Sequence, residues 1–117
     1  MSECKLPPSF QPKPPPTDLA EIHFKRAWQH RKNKQLREAV NEFQESLKHN
    51  PDKGSTHFNL GWVYDRLEEG AEAVAHLQQA VALFQKANKA SNITSARNLL
   101  SKLYKKYPDL APDPQKK

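Results

Sequence analysis

His57-Phe58-Asn59-Leu60-Gly61-Trp62-Val63-Tyr64, followed after a polar turn by Glu72-Ala73-Val74-Ala75-His76-Leu77, is the stretch whose reading decides the fold. Gly61 and Ala73 are the small residues of two helical runs, so their backbones can approach closely, and Leu77 is sized to fill the gap between them. A shift of 34 residues superimposes His23-Phe24 on His57-Phe58, Trp28 on Trp62, Glu38-Ala39-Val40 on Glu72-Ala73-Val74, and Gln44 on Gln78. Self-similarity at one fixed period marks a repeat architecture. Ala27, Ala39 and Phe43 then take the places of Gly61, Ala73 and Leu77.

Working outward, each copy reads as a helical hairpin. The spacing predicts helices over 19–32 with 36–49 and over 55–67 with 71–89, joined by polar turns at Asn33-Lys34-Gln35 and Glu68-Glu69-Gly70. A further helix over 92–107 follows a cap at Ser91, with Ile93, Ala96, Leu99, Leu100, Leu103, Tyr104 and Tyr107 at three- and four-residue spacing. Its opposite face carries Asn98, Ser101, Lys102 and Lys105, which suits a helix closing the exposed end of a stack. Pro108 stops it, and 108–117 is expected to be a tail.

Upstream, six of the ten prolines fall within the first sixteen residues, where missing N–H donors and fixed φ exclude helix and sheet. Residues 1–17 are therefore expected to be a disordered tail, ending at the helix cap Thr17-Asp18. Its one P-x-x-P, Pro12 to Pro15, lacks a flanking arginine, so a spacer, or a segment folding back over its own groove, is the plainer reading than an SH3-type ligand. Cys4 is the single cysteine and cannot form an internal disulfide, in keeping with a reducing compartment. No apolar run is long enough for a membrane span or a secretory signal, so the cytoplasm is the expected location.

The tetratricopeptide signature runs W-x2-L-G-x2-Y, then A-x3-F, then P, over 34 residues, and the chain resembles it in both copies. The second has His57-x2-Leu60-Gly61-x2-Tyr64 and Ala73-x3-Leu77; the first has Ala39-x3-Phe43 and Pro51, with Arg26-Ala27 and His30 at the other positions. The resemblance implies an all-α, right-handed solenoid of helical hairpins with about five helices: repeats at about 20–53 and 54–87 and a capping helix, within a domain spanning 18–107. Gln85 stands where a proline is expected, so the fourth helix is predicted to run on to 89. Two repeats and a cap fall short of the usual three units, so a partner or self-association, such as a homodimer, is expected to complete the stack.

In this family the first helices of the hairpins line a concave groove that holds extended or helical peptides. By resemblance, the groove positions are Phe24, Trp28, Arg31 and Lys32 in the first repeat and Phe58, Trp62, Asp65 and Arg66 in the second, with Asn59 beside them. Phe24 with Trp28 and Phe58 with Trp62 are i,i+4 pairs, each placing two rings on one helical face. Such rings either dominate a partner interface or pack between helices. Asn59 matches one asparagine of the family's carboxylate clamp, but Phe24 and Trp28 occupy the positions of its lysine and other asparagine, so that clamp is not expected.

The net charge of +6 divides into +3 over 20–53, −2 over 54–87 and +5 over 88–117. Arg31, Lys32, Lys34 and Arg37 cluster at the first hairpin turn, and Lys102, Lys105 and Lys106 on the closing helix. Solvated faces explain both, with contact to acidic protein or phosphate as the alternative. The five histidines, at 23, 30, 49, 57 and 76, include no i,i+4 pair and no cysteine cluster, so no metal site is expected; His23 and His57 read as packing residues. Three glycines leave no phosphate loop and no nucleophile motif is present, so neither catalysis nor a cofactor is expected. The sequence thus points to an adaptor, scaffold or chaperone-like assembly factor that binds a protein or peptide through Phe24, Trp28, Arg31, Phe58, Asn59, Trp62 and Arg66. The alternatives are an RNA or ribonucleoprotein accessory using the basic patches, and a structural subunit of a larger complex.

Overall fold

The computed structural model describes residues 18–112. The proline-rich segment with Cys4 and the Pro12 to Pro15 motif, and the last residues 113–117, lie outside the described residues. Five helices follow one another: α1 (Leu19–Lys32), α2 (Leu36–His49), α3 (Gly54–Arg66), α4 (Gly70–Lys86) and α5 (Ala90–Lys106), then a 3-10 turn at Pro108–Leu110. Each helix packs against its chain neighbours, and α3 also touches α5.

The small residues set the spacing. Ala27, Ala39 and Ala73 are fully buried, and Phe43 and Leu77 fill the centres of the two hairpins. A Cβ added at Gly61 would stand 2.7 Å from Leu77 Cγ and 3.1 Å from the Ala73 carbonyl oxygen. Those separations are too short for a side chain, so α3 and α4 meet where only glycine fits. A polar contact ties three helices together behind this core: buried Ser46 Oγ donates to the Ala20 carbonyl at 2.7 Å and lies 3.4 Å from Thr56 Oγ1.

The repeat period shows in the hydrogen bonds as well. Gln44 Nε2 donates to the Tyr64 hydroxyl at 2.8 Å, and its equivalent Gln78 donates to Tyr104 at 3.0 Å. Tyr104 of α5 thus takes up toward α4 the part that Tyr64 of α3 plays toward α2. The predicted apolar face of α5 is the one that packs: Ala96 and Leu103 are buried, and Leu99, Leu100, Tyr104 and Tyr107 lie against the main core. Lys106 Nζ, bonded to Asp65 at 2.9 Å and Glu68 at 3.1 Å, anchors the end of α5 to the end of α3.

Two boundaries differ from the sequence reading by more than one residue. α4 stops at Lys86 without a proline, because Asn88 adopts a left-handed conformation with φ 58°. Asn88 N–H then bonds the Gln85 carbonyl and Lys89 N–H the Phe84 carbonyl, so the last carbonyls of α4 are satisfied in a Schellman cap. The same turn closes α1 around Lys34 and α3 around Glu68, both with φ 62°. The link from α4 to α5 is therefore a copy of the turn inside each hairpin. The second difference concerns Ser91, which lies inside α5; the helix begins at Ala90 after Lys89, with no side-chain cap bond. Asp18 does cap α1, its Oδ1 accepting from Glu21 N–H at 3.1 Å. The tail expected from 108 opens with the 3-10 turn, and Gly70 abuts the Tyr107 ring just before it.

Candidate functional site

α1 and α3 bring five of the seven residues expected at the groove to one place. Arg31, in the last turn of α1, sets its guanidinium 4.4 Å from the Trp28 ring centre and 3.7 Å from that of Trp62 on α3. Arg66, one helical turn beyond Trp62, approaches the same indole at 4.6 Å. Arg31 Nη1 also donates to Asn59 Oδ1, while Asn59 Nδ2 donates to the Ser55 carbonyl at 2.8 Å. Guanidinium over indole is the strongest of the cation–π pairings available to these side chains. The series Trp28, Arg31, Trp62, Arg66 is thus fixed by contacts within the protein before any partner arrives.

Burial sorts the predicted residues. Trp28 remains 38% exposed, Arg66 is exposed, and Arg31 and Trp62 are half-buried. Asn59 is only 7% exposed, and its amide is occupied by Arg31 and Ser55, so it positions Arg31. Phe24 is half-buried with its edge against Phe43 at 5.6 Å and the Lys53 ammonium 4.9 Å from its face. Phe58 lies between the two cores and lines a separate cavity of about 200 Å³ with Ser55, Phe84, Asn92 and Ser95. Trp28 alone of the four rings stands at the surface; Trp62, like the two phenylalanines, is partly drawn into packing.

Beside the tryptophans is a cleft of about 350 Å³ lined by Arg31, Lys32, Lys34, Leu36, Trp62 and Arg66. Four of its six residues are cations, and none has an acidic side chain within ion-pair distance among the described residues. Nearby acids are taken elsewhere: Glu69 by Arg37, and Asp65 by Lys106. Burial holds the Arg31 guanidinium below its ordinary pKa, and the neighbouring Arg66 charge adds to that effect. An anionic group entering the cleft would relieve this repulsion in surroundings less polar than water. Lys34 and Leu36 were not among the predicted groove residues; the turn that curls Lys34 back toward α3 depends on its left-handed φ, which no spacing rule reveals.

No helix among the described residues is long and apolar enough to cross a membrane. The family model described as "Tetratricopeptide repeat" matches residues 20–53, the copy that carries Ala39-x3-Phe43 and Pro51. No curated protein matches the chain. Among solved structures, the solution NMR structure of a tetratricopeptide repeat domain protein from Salinibacter ruber is similar at 20% identity and a TM-score of 0.66, over 78% of this chain and 90% of that one. A crystal structure of a tetratricopeptide repeat domain protein from the same organism is similar at 20% identity and a TM-score of 0.67, over 72% and 94%. Residues 20–53 are a tetratricopeptide repeat, and the helices from Leu19 to Lys106 carry the fold of a tetratricopeptide-repeat domain.

Proposed function

We propose that the protein is a non-enzymatic adaptor or assembly factor that holds an acidic, partly apolar segment of a partner protein on the surface formed by Trp28, Arg31, Trp62 and Arg66. The observation that carries this reading is the cleft of cations without an ion-pair partner among the described residues, set against indole faces. Aromatic and arginine side chains are the residue types that dominate protein interfaces, and here each fixes the other's orientation. Preorganisation of this kind lowers the entropy lost on binding. A held segment would also add buried surface to the five helices of the described residues.

The test is affinity capture with the intact protein and with a Trp28→Ala, Trp62→Ala variant of verified helicity, followed by reconstitution with the captured segment as a synthetic peptide. Loss of peptide binding in the variant supports the reading; equal binding by both forms overturns it.

A second reading has one specific observation in its favour. Arginines alternating with indoles, of which Trp28 is exposed, also suit single-stranded nucleic acid, whose bases stack on indole and whose phosphates neutralise the cations. Affinity for a single-stranded oligonucleotide that falls steeply with added salt, and is lost with both tryptophans, would favour it over a protein partner.

A further inference from the structure

The remote end of the first hairpin carries a different chemistry. His23 lies in the second turn of α1, and Glu45 and His49 lie one turn apart at the end of α2. Each offers one ligand atom, and the three atoms fall within 4.8 Å of one another. Glu42 Oε1 stands 2.6 Å from His23 Nδ1. With Nδ1 so held, Nε2 is the nitrogen that His23 has left for a metal. A carboxylate on the far nitrogen of a histidine ligand is the usual outer support of a zinc site, because it fixes the ring and raises its basicity.

We propose that His23, Glu45 and His49 bind a divalent transition-metal ion of the zinc class, with Glu42 as the positioning carboxylate and water in the fourth position. Two imidazoles and one carboxylate form an established three-ligand zinc set, and the two glutamates together neutralise the dication. Zinc bonds of about 2.0–2.2 Å place tetrahedral donors roughly 3.3 Å apart, so the side chains must close by up to about 1.5 Å. Rotations of half-buried Glu45 and exposed His49 can supply this. The ring of His49 now lies parallel to that of His23 at 5.7 Å and would turn edge-on. Glu45 would leave Lys48, a pairing on the exposed face of one helix that contributes little.

The repeat supplies an internal comparison. The His23–Glu42 contact recurs as His57–His76 in the second copy, so that contact belongs to the architecture. The remaining donors do not recur: Gln79 and Leu83 stand at the positions of Glu45 and His49. Only the first hairpin therefore has the full set, and it spans α1, one of the two end helices of the stack among the described residues. A metal there would clip α1 to α2.

The test titrates the full chain with zinc chloride by calorimetry and by thermal melting, with magnesium and calcium as controls and cobalt as a spectroscopic probe. One zinc equivalent should bind, with a tetrahedral cobalt absorption band. At zinc near a hundred times its Kd, Tm should rise by roughly 10 °C or more. His49→Gln and Glu45→Gln, at positions outside the core, should each weaken zinc at least tenfold, and Glu42→Gln about 10- to 100-fold with unchanged stoichiometry. Cys4→Ser should have no effect. Absence of a zinc-specific shift, or binding undiminished in His49→Gln and Glu45→Gln, overturns the site and transfers any bound ion to Cys4 or to His57 and His76.

Discussion

His57 and His76 face each other across α3 and α4 with their Nδ1 atoms 3.0 Å apart. His57 Nε2 lies 2.9 Å from the Pro51 carbonyl oxygen, which can only accept, so that nitrogen carries the His57 proton and its Nδ1 accepts from His76. The His76 ring also lies against Tyr64 at 5.6 Å. The hydrogen bond requires one Nδ1 without a proton, so the two rings cannot both be charged while it holds.

Burial, reinforced by His57, pulls the pKa of His76 down to about 4, with Glu72 acting weakly the other way. Because the folded value is below the ordinary one, the unfolded chain binds the extra proton first. Stability is therefore fully held above about pH 6.5 and is lost as the pH falls from 6.5 toward 4, by about 2 kcal/mol from this group once solvent screening of its half-buried ring is discounted. Urea unfolding at pH 7 and pH 4.5 should show a smaller loss for His76→Gln than for the unchanged protein. Equal losses would remove His76 as the source.

Gly61 is the closest approach between the two helices of the second hairpin. The Leu77 side chain that a new Cβ would strike is fully buried at the centre of the hairpin. Gly61→Ala should therefore cost about 1–2 kcal/mol, the overpacking strain outweighing the roughly 1 kcal/mol gained in helix propensity. Thermal melts of the two forms decide this, and a stabilised variant would show that α3 and α4 can move apart freely.

The periodic signal lies in such contacts, which explains what the sequence disclosed. Ala27, Ala39, Gly61, Ala73, Phe43 and Leu77 are local in sequence and each is matched one repeat away, so pattern alone located the hairpins. The end of α4 was less legible because it depends on the backbone conformation of one residue, Asn88, for which a missing proline was a poor guide. The cleft was half visible: Trp28 and Trp62 declared themselves by period, whereas the contacts of Arg31 with Asn59 and Trp62 join side chains 28 and 31 positions apart. The cluster of His23, Glu42, Glu45 and His49 escaped because its donors converge only when α1 folds back on α2.

Three turns with the same left-handed residue allow a direct comparison. Lys34, Glu68 and Asn88 occupy equivalent places, yet glycine occurs at none of them. Asparagine tolerates this conformation best of the three, because its short polar side chain bonds locally. Lys34→Gly should raise stability by about 0.5–1 kcal/mol, since its Cβ strain is relieved and no ion pair among the described residues is broken. Asn88→Val should lower stability by about 1 kcal/mol or more, because a β-branched residue is strained there. Denaturant midpoints at unchanged m-value provide the measure, and a destabilised Lys34→Gly would contradict the strain argument.

Arg31 separates charge from shape in the proposed partner surface. Its planar guanidinium touches both indoles and Asn59 at once, and a lysine at the same position would keep the charge while losing the plane and the fixed hydrogen bond. Were the cleft only a basic patch, Arg31→Lys would leave binding of the acidic segment nearly unchanged and only its salt dependence would matter. Since the guanidinium orders Trp28 and Trp62 before binding, Arg31→Lys should weaken the segment about tenfold at constant salt, with the helical signal intact. Peptide titrations of the two forms at low and moderate salt read both quantities. A tenfold loss that persists at both salts assigns the effect to the ordered Trp–Arg–Trp arrangement; undiminished affinity assigns binding to net charge alone.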